Sequence, residues 1–179
     1  MVQNPDFLRI GRDIPNFTLR PREVWANLLL CIVLRDVYGR DITFAEDEVG
    51  DGIILENNTE RWVMTEHVSA LDVPGPKGLL KGEERVLNAI DHKITKGEEY
   101  AQGKTLVVFL EGAGTWYPNR VGRSIAGRHN FNEVCCVALL DIIDGIYSYS
   151  VSFFNQVHSP TWKVEITRDF TDWKISRLQ

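Results

Sequence analysis

The sequence predicts an α/β domain in which a mixed central sheet lies between helices, as a three-layer α/β/α sandwich. Three observations predict this class. Helical and extended patterns follow one another as helix, two or three strands, helix, strand, helix and further strands. The run at 105–112, TLVVFLEG, is continuously apolar, which is typical of a central strand covered on both faces. The turn pairs Asn57-Asn58 and Asp144-Gly145 each separate two apolar runs and so indicate hairpins.

The first half of the chain supplies one helix and the first strands. Residues 1–20 have an irregular pattern, whereas Pro21 suits the first turn of a helix and Gly39 suits its end, so that 20–39 is predicted helical. Short extended patterns follow, and they predict strands at 41–44, 51–56 and 61–71.

The second half begins with a breaker, VPGPKG at 73–78, and then continues with helices and strands. Residues 79–103 have apolar side chains at helical spacing and a charged outer face, which predicts one long helix. Further on, the pattern predicts a strand at 105–112, a short helix at 117–127, strands at 134–143 and 146–154, and an edge strand at 161–167.

Length and composition indicate a single globular domain spanning 1–179, with its core at about 20–155. The net charge of -5 excludes a protein that is basic all over and wraps nucleic acid, but it leaves room for a local basic face. The sequence contains no run of about 18 apolar residues, so no membrane span is predicted. The N-terminus does not resemble a signal peptide. Three cysteines in apolar segments predict buried thiols in a reducing compartment, and hence a cytoplasmic protein.

Two carboxylates in the predicted hairpin are candidate metal ligands. Strand alternation puts Glu66 on one face with Met64 and puts His67 on the other, and Asp51 opens the preceding strand. Carboxylates that converge across a hairpin would bind Mg²⁺, or Mn²⁺ in its place, which could activate water and polarise a phosphodiester. The alternative is that Asp51-Gly52 is a plain turn and that Glu66 pairs with an arginine.

The order helix, Asp at a strand start, Glu in the next strand, long helix and apolar strand resembles the core of the PD-(D/E)XK nuclease superfamily. The resemblance covers about residues 20–112, and the segment from Gly78 to Arg120 is also similar to an uncharacterised bacterial family labelled as endonucleases. It implies a restriction-endonuclease-like fold and a Mg²⁺-dependent endonuclease that hydrolyses nucleic acid. Asp51 and Glu66 would hold the metal, and Glu23 on the first helix would join them.

The sequence departs from the superfamily pattern at the lysine expected two residues after the glutamate, because Val68 stands there. Lys77 and Lys81 are the candidates for a displaced lysine. Lys81 is favoured, since in some members of the superfamily the lysine lies on the following helix. The alternative is that hydrolysis is lost and that the domain binds nucleic acid or a protein partner, or serves a purely structural role.

The segment 112–132 is rich in arginine and aromatic side chains and contains no acidic residue. Arg120 and Arg123 lie three residues apart on the predicted short helix, so they share a face that could hold phosphates. Trp116 and Tyr117 could stack on bases. The segment therefore predicts nucleic-acid binding, with DNA favoured over RNA, and the alternative is aromatic packing with arginines paired to surface acids. A homodimer is expected from the frequency of two-fold assemblies.

Overall fold

The computed structural model describes residues 19–47, 50–59, 61–71, 78–112, 114–155 and 158–179. Within these ranges the chain forms four helices and eight strands. In chain order they are α1 (Pro21–Tyr38), β1 (Ile42–Ala45), β2 (Ile53–Glu56), β3 (Arg61–Ala70), α2 (Gly82–Ile94), α3 (Glu98–Ala101), β4 (Lys104–Leu110), α4 (Pro118–Ile125), β5 (Glu133–Ile143), β6 (Ile146–Phe154), β7 (Thr161–Ile166) and β8 (Trp173–Arg177).

All the strands described belong to one sheet, whose order follows the chain from β1 to β8. The strands β3, β4 and β5 run parallel to one another, and the other neighbours pair antiparallel. The predicted α/β class with a mixed sheet is therefore confirmed. No helix in the described ranges is both long and apolar enough to span a bilayer.

The central strand β4 is buried on both faces, as its uninterrupted apolar run predicts. Val107 and Phe109 pack in one apolar cluster with α1. Leu106 and Val108 point the other way, into a second cluster that contains residues of α2 and α4. Successive side chains of a strand alternate between faces, so α1 covers one face of the sheet and α2 and α4 cover the other. The two clusters hold the helices in fixed positions against the strands.

The first helix begins and ends close to the predicted residues. At its start the side chain of Glu23 accepts a hydrogen bond of 2.8 Å from the backbone N–H of Arg20, which satisfies one of the free amides before the first turn. At its end Gly39 adopts φ 63°, and its N–H donates to the carbonyl of Arg35. Both ends are local features, so they can be read from the sequence.

Two features of the second half differ from the prediction. The predicted helix 79–103 is interrupted after Ile94, because Gly97 adopts φ 97°, a conformation that cannot continue a helix. The C-terminal strand β8 was not predicted, and it pairs with β7 from Trp162 opposite Arg177. The prediction of β7 as an edge strand is therefore wrong, since β8 covers that edge.

Other local predictions can be compared directly with the structure. Asp144 and Gly145 both adopt positive φ in the turn between β5 and β6, as a two-residue hairpin requires. The three cysteines are buried free thiols, as predicted. Residues 1–18 of the stretch 1–20, which is predicted to be irregular, and residues 72–77 of the predicted breaker, including Lys77, lie outside the described residues.

Candidate active site

The strand pair β2–β3 brings Asp51 and Glu66 together. Ile53 lies opposite Met64 in this antiparallel pair, and the pairing continues where the N–H of Thr65 donates to the carbonyl of Gly52 over 2.8 Å. Two residues before Ile53, Asp51 therefore lies opposite Glu66, and residues directly opposite one another share a face. The two carboxylates lie near enough for Glu66 to raise the pKa of Asp51. The carboxylates that the sequence singled out thus converge.

Asp51 is fixed by the backbone of the neighbouring strand and by a glycine beside it. Its Oδ2 accepts a 2.8 Å hydrogen bond from the backbone N–H of His67. Gly52 adopts φ 121°, and a Cβ at this position would lie 2.9 Å from the side-chain amide nitrogen of Asn27 on α1. Glycine therefore allows α1 to approach the point where β2 begins, which brings the helix start next to Asp51.

Glu66 is held by two lysines from different elements. Lys93, in the last turn of α2, donates a hydrogen bond to Oε1 of Glu66, and both residues are buried. Lys104, the first residue of β4, places its Nζ 3.9 Å from Oε2. Lys93 also donates to the hydroxyl of Tyr100 on α3, over 3.3 Å. We call Asp51, Glu66 and Lys93 the carboxylate–lysine site.

The two carboxylates of this site differ in acidity. Burial raises the pKa of Asp51, and the charge of Glu66 raises it further against the opposing hydrogen bond from His67. Burial would also raise the pKa of Glu66, but the hydrogen bonds from Lys93 and Tyr100 and the lysine charges outweigh it, so that this pKa is lowered. Paired acids whose pKa values are driven apart are typical of sites that handle protons or cations.

Two charged residues in the first turn of α1 lie near Asp51. Burial raises the pKa of Glu23, and the charge of Asp51 adds to this effect. Arg22, its neighbour, has a pKa lowered first by burial, while the charges of Glu23 and Asp51 act in the opposite sense. The first turn of α1 thus places both a third carboxylate and a guanidinium at the rim of the site. One oxygen of Glu23 is already engaged by the helix start.

His67 faces away from Glu66, as the alternation of β3 predicts. Its Nε2 lies 3.1 Å from Oδ1 of the fully buried Asn27 on α1. Burial lowers the pKa of His67 to about 3, so the ring is neutral near pH 7. The uncharged ring of His67 contacts α1 and so ties β3 to that helix. Its backbone N–H donates to Asp51 and holds that side chain in place.

Lys81, the favoured lysine in the sequence, does not reach the two carboxylates. It is exposed and directly precedes α2, twelve residues before Lys93. At 1.5 Å per residue this is about 18 Å along the helix.

The lysine that reaches Glu66 is Lys93, at the opposite end of the same helix, and one feature of the sequence indicates that this lysine faces the core. It follows Val86 by seven residues and Ile90 by three, so a lysine stands on the stripe that faces the core.

The basic segment 112–132 contacts both ends of α2: Arg120 lies at the N-terminal end, whereas Arg128 pairs with Asp91 near the C-terminal end over 2.7 Å. Arg120 contacts Glu83 in the first turn of α2, with 3.5 Å between Nη1 and Oε1, and its guanidinium lies 4.6 Å from the ring centre of Tyr117. Arg123 is exposed. Trp116 is half-buried and packs edge-to-face against Phe154. Glu83 precedes Lys93 by ten residues, so these side chains are about 15 Å from the carboxylate–lysine site along the helix.

The site offers oxygen ligands for a hard cation from two carboxylates that face each other. In the ranges that the structure describes, no cluster of three or more His, Cys, Asp or Glu side chains is arranged to hold a metal ion. A cation would therefore be bound by Asp51 and Glu66, with its remaining positions taken by water or substrate, which suits Mg²⁺.

Comparison of the chain with protein-family models, with curated proteins and with solved structures gave no match. Function is therefore inferred from the arrangement of side chains.

Proposed function

We propose that this protein is a metal-dependent endonuclease that hydrolyses phosphodiester bonds of nucleic acid, with DNA favoured over RNA. One observation carries the proposal: Asp51 and Glu66 converge from neighbouring strands, and the ammonium of Lys93 lies on Glu66. Two acids and a lysine at one point are the set of groups that the PD-(D/E)XK resemblance calls for. The lysine comes from α2 in place of Val68.

The order of elements supports the same proposal. Helix α1, the antiparallel strands β1 to β3, helix α2 and the parallel strand β4 follow one another as the restriction-endonuclease-like core requires. The helices that cover opposite faces of the sheet support the three-layer α/β/α arrangement. Asp51 lies just before β2, and Glu66 lies in β3, the strand that pairs parallel to β4.

Asp51 and Glu66 are suited to hold Mg²⁺ or Mn²⁺. The raised pKa of Asp51 reports unfavourable burial of one negative charge beside another, and a divalent cation would relieve it. When bound there, the ion supplies an activated water and neutralises charge on the phosphodiester. The charge of Asp51 acts on Glu23, so Glu23 would add negative charge near a bound ion.

The positive groups of the chain act on the substrate and on the attacking water. Lys93 donates hydrogen bonds from a fixed, buried position and so orients a water beside Glu66. Lys104 and Arg22 add positive charge at the rim, where a phosphate would approach. The far end of α2 would contact the nucleic-acid backbone about four nucleotides from the cleaved bond, at about 3.4 Å per nucleotide. The residues that would make this contact are Arg120, Arg123 and Tyr117.

The proposal is tested by incubating the protein with single- and double-stranded DNA and RNA in Mg²⁺ or Mn²⁺. Cleavage should require the metal, and Asp51→Asn should lower the rate by at least about a hundredfold, because this variant removes one ligand charge. Asp172→Asn, an exposed aspartate before β8, is the matched control and should cleave like the wild type. If Asp51→Asn cleaves as fast as the control variant, the assignment of Asp51 is wrong.

A second candidate function is a nuclease-like domain that binds nucleic acid or a protein partner without cleaving. Val68 at the expected lysine position favours it, as does the engagement of Lys93 with both Glu66 and Tyr100. In that case a mobility-shift experiment would detect salt-dependent binding with no cleavage in either metal. Binding of a protein partner alone would leave both nucleic-acid experiments negative.

A further inference from the structure

Three ammonium groups surround the ring of Tyr100. The Nζ of Lys104 lies 4.2 Å from the ring centre, that of Lys96 lies 4.4 Å away, and that of Lys93 lies 5.9 Å away. Lys96 also donates to the Tyr100 hydroxyl over 3.0 Å. Cation–π attraction at exposed sites is weak, so the ring alone does little to offset the repulsion among three like charges.

Nearby carboxylates do not balance this positive charge. Glu66 contacts Lys93 and Lys104, and it is the acid that these two lysines share. Among the described residues, no carboxylate lies within ion-pair distance of Lys96. The cluster therefore has an excess of positive charge in a chain whose overall charge is negative.

We propose that Lys96, Lys104 and Tyr100 form a subsite for a phosphate of a nucleic-acid strand, namely the phosphate next to the one that is cleaved. The inference rests on the proposed function, because it takes the carboxylate–lysine site as the place of cleavage. Lys104 links the two places, since its Nζ is 3.9 Å from Glu66 and 4.2 Å from the Tyr100 ring centre. Lysine binds phosphate as a point charge with three donors.

The subsite also assigns different roles to the lysines. Lys93 is buried and bonded to Glu66, so it belongs to the carboxylate–lysine site. Lys96 is exposed in the turn between α2 and α3, and it can move onto a phosphate at little cost. The strand would then run from Glu66 over Tyr100 toward the turn.

The test measures binding of a labelled DNA strand and its duplex, with Ca²⁺ in place of Mg²⁺, over a salt series from about 50 to 200 mM. We expect the double variant Lys96→Gln/Lys104→Gln to bind at least about tenfold more weakly at the lowest salt. Because the subsite holds one phosphate, the slope of log affinity against log salt should fall by about 0.7 for the single strand and about 0.9 for the duplex. Lys174→Gln, on the distant edge strand β8, should leave both values unchanged.

The outcomes separate the subsite from the proposed function. Unchanged affinity and slope in the double variant would overturn the subsite, even if the wild type cleaves DNA. A loss of binding in the double variant of a protein that never cleaves would support the subsite and contradict the nuclease. Melting temperatures of the variants control for folding. If inorganic phosphate stabilises the wild type but no strand binds, the assignment to a nucleic-acid strand is wrong.

Discussion

The two ends of α2 carry similar ion pairs in different surroundings. At the C-terminal end Lys93 meets Glu66, and both side chains are nearly withdrawn from water. At the N-terminal end Glu83 meets Arg120, whose side chain is 62% exposed. Water screens the second pair, whereas burial shifts the pKa values around the first. The comparison teaches that burial, more than the types of residue present, distinguishes a reactive site from a charged surface.

The largest expected effect comes from removing the buried cation. Lys93→Met leaves Glu66 buried without its closest partner, so we expect the free energy of unfolding to fall by about 3 kcal/mol. Urea unfolding at pH 7 measures this change, and cleavage by the folded protein should be lost with it. If Lys93→Met loses less than about 1 kcal/mol of unfolding free energy, the buried ion pair stabilises the fold no more than the exposed pair at the other end of α2.

A smaller loss should follow from crowding α1 at the start of β2. Gly52→Ala introduces a Cβ 2.9 Å from the amide nitrogen of Asn27 at a strained φ, so we expect a loss of about 2–3 kcal/mol in unfolding free energy. Gly127→Ala is the matched control, because Gly127 also has a positive φ but has open space around it. It should cost about 1 kcal/mol, and equal losses in the two variants would contradict a close approach of α1.

Neutralising the two carboxylates should change stability in opposite directions. The raised pKa of Asp51 means that its ionised form lowers the free energy of unfolding at pH 7, so Asp51→Asn should raise it. The difference in unfolding free energy between Asp51→Asn and the wild type should disappear as pH falls from the raised pKa toward 3.8. The lowered pKa of Glu66 means that its charge stabilises the fold above pH 4.5, so Glu66→Gln should lower stability at pH 7. In the wild type, the contribution of Glu66 is lost as pH falls through its folded pKa.

Urea unfolding of both variants at pH 7, and again in acid, measures these signs. Changes of the same sign at pH 7 would mean that the two carboxylates occupy equivalent environments, contrary to the contacts with Lys93 and Lys104.

The smallest effect is expected at the exposed end of α2. Arg120→Met removes a screened ion pair, so the free energy of unfolding should fall by less than about 1 kcal/mol. The same substitution in Lys93 gives a direct comparison between the two ends. Binding of DNA should weaken only slightly, with a change in salt slope of about one if Arg120 contacts a phosphate. If Arg120→Met loses as much unfolding free energy as Lys93→Met, exposure does not determine how much these two ion pairs stabilise the fold.

Much of the fold could be predicted because its signals are local. Pro21 and Gly39 bound α1, Asp144-Gly145 makes a hairpin turn, and the apolar run of β4 requires cover on both faces. The strand β8 escaped prediction because its side chains are only partly buried and its pattern is short. Its pairing with β7 is a tertiary contact that no local pattern encodes.

The site could be predicted only where a short hairpin defines it. The alternation of β3 puts Glu66 and Met64 on one face, and either could face Asp51. A two-residue turn at Asn57-Asn58 would set Asp51 opposite Met64, whereas the observed pairing of Glu56 with Arg61 leaves four residues between the strands and sets Asp51 opposite Glu66. Lys93 is different, because its position depends on how α2 packs across the sheet. A lysine on an apolar stripe is visible in the sequence, but the carboxylate it reaches is not. The superfamily resemblance favours Lys81 because it lies at the following helix, but the sequence does not show which end of that helix lies beside the carboxylates.

The order of the strands has a consequence for translation. Because each strand pairs with the one made just before it, the nascent chain can extend the sheet one strand at a time. Arg22, Asp51, Glu66, Lys93 and Lys104 all precede β5, so every group of the catalytic proposal leaves the ribosome before the last four strands. Until β5 arrives, β4 exposes an open, strongly apolar edge that invites pairing with other chains. A pause of the ribosome after β4 has emerged from the exit tunnel and before β5 has emerged would prolong that exposure and favour aggregation.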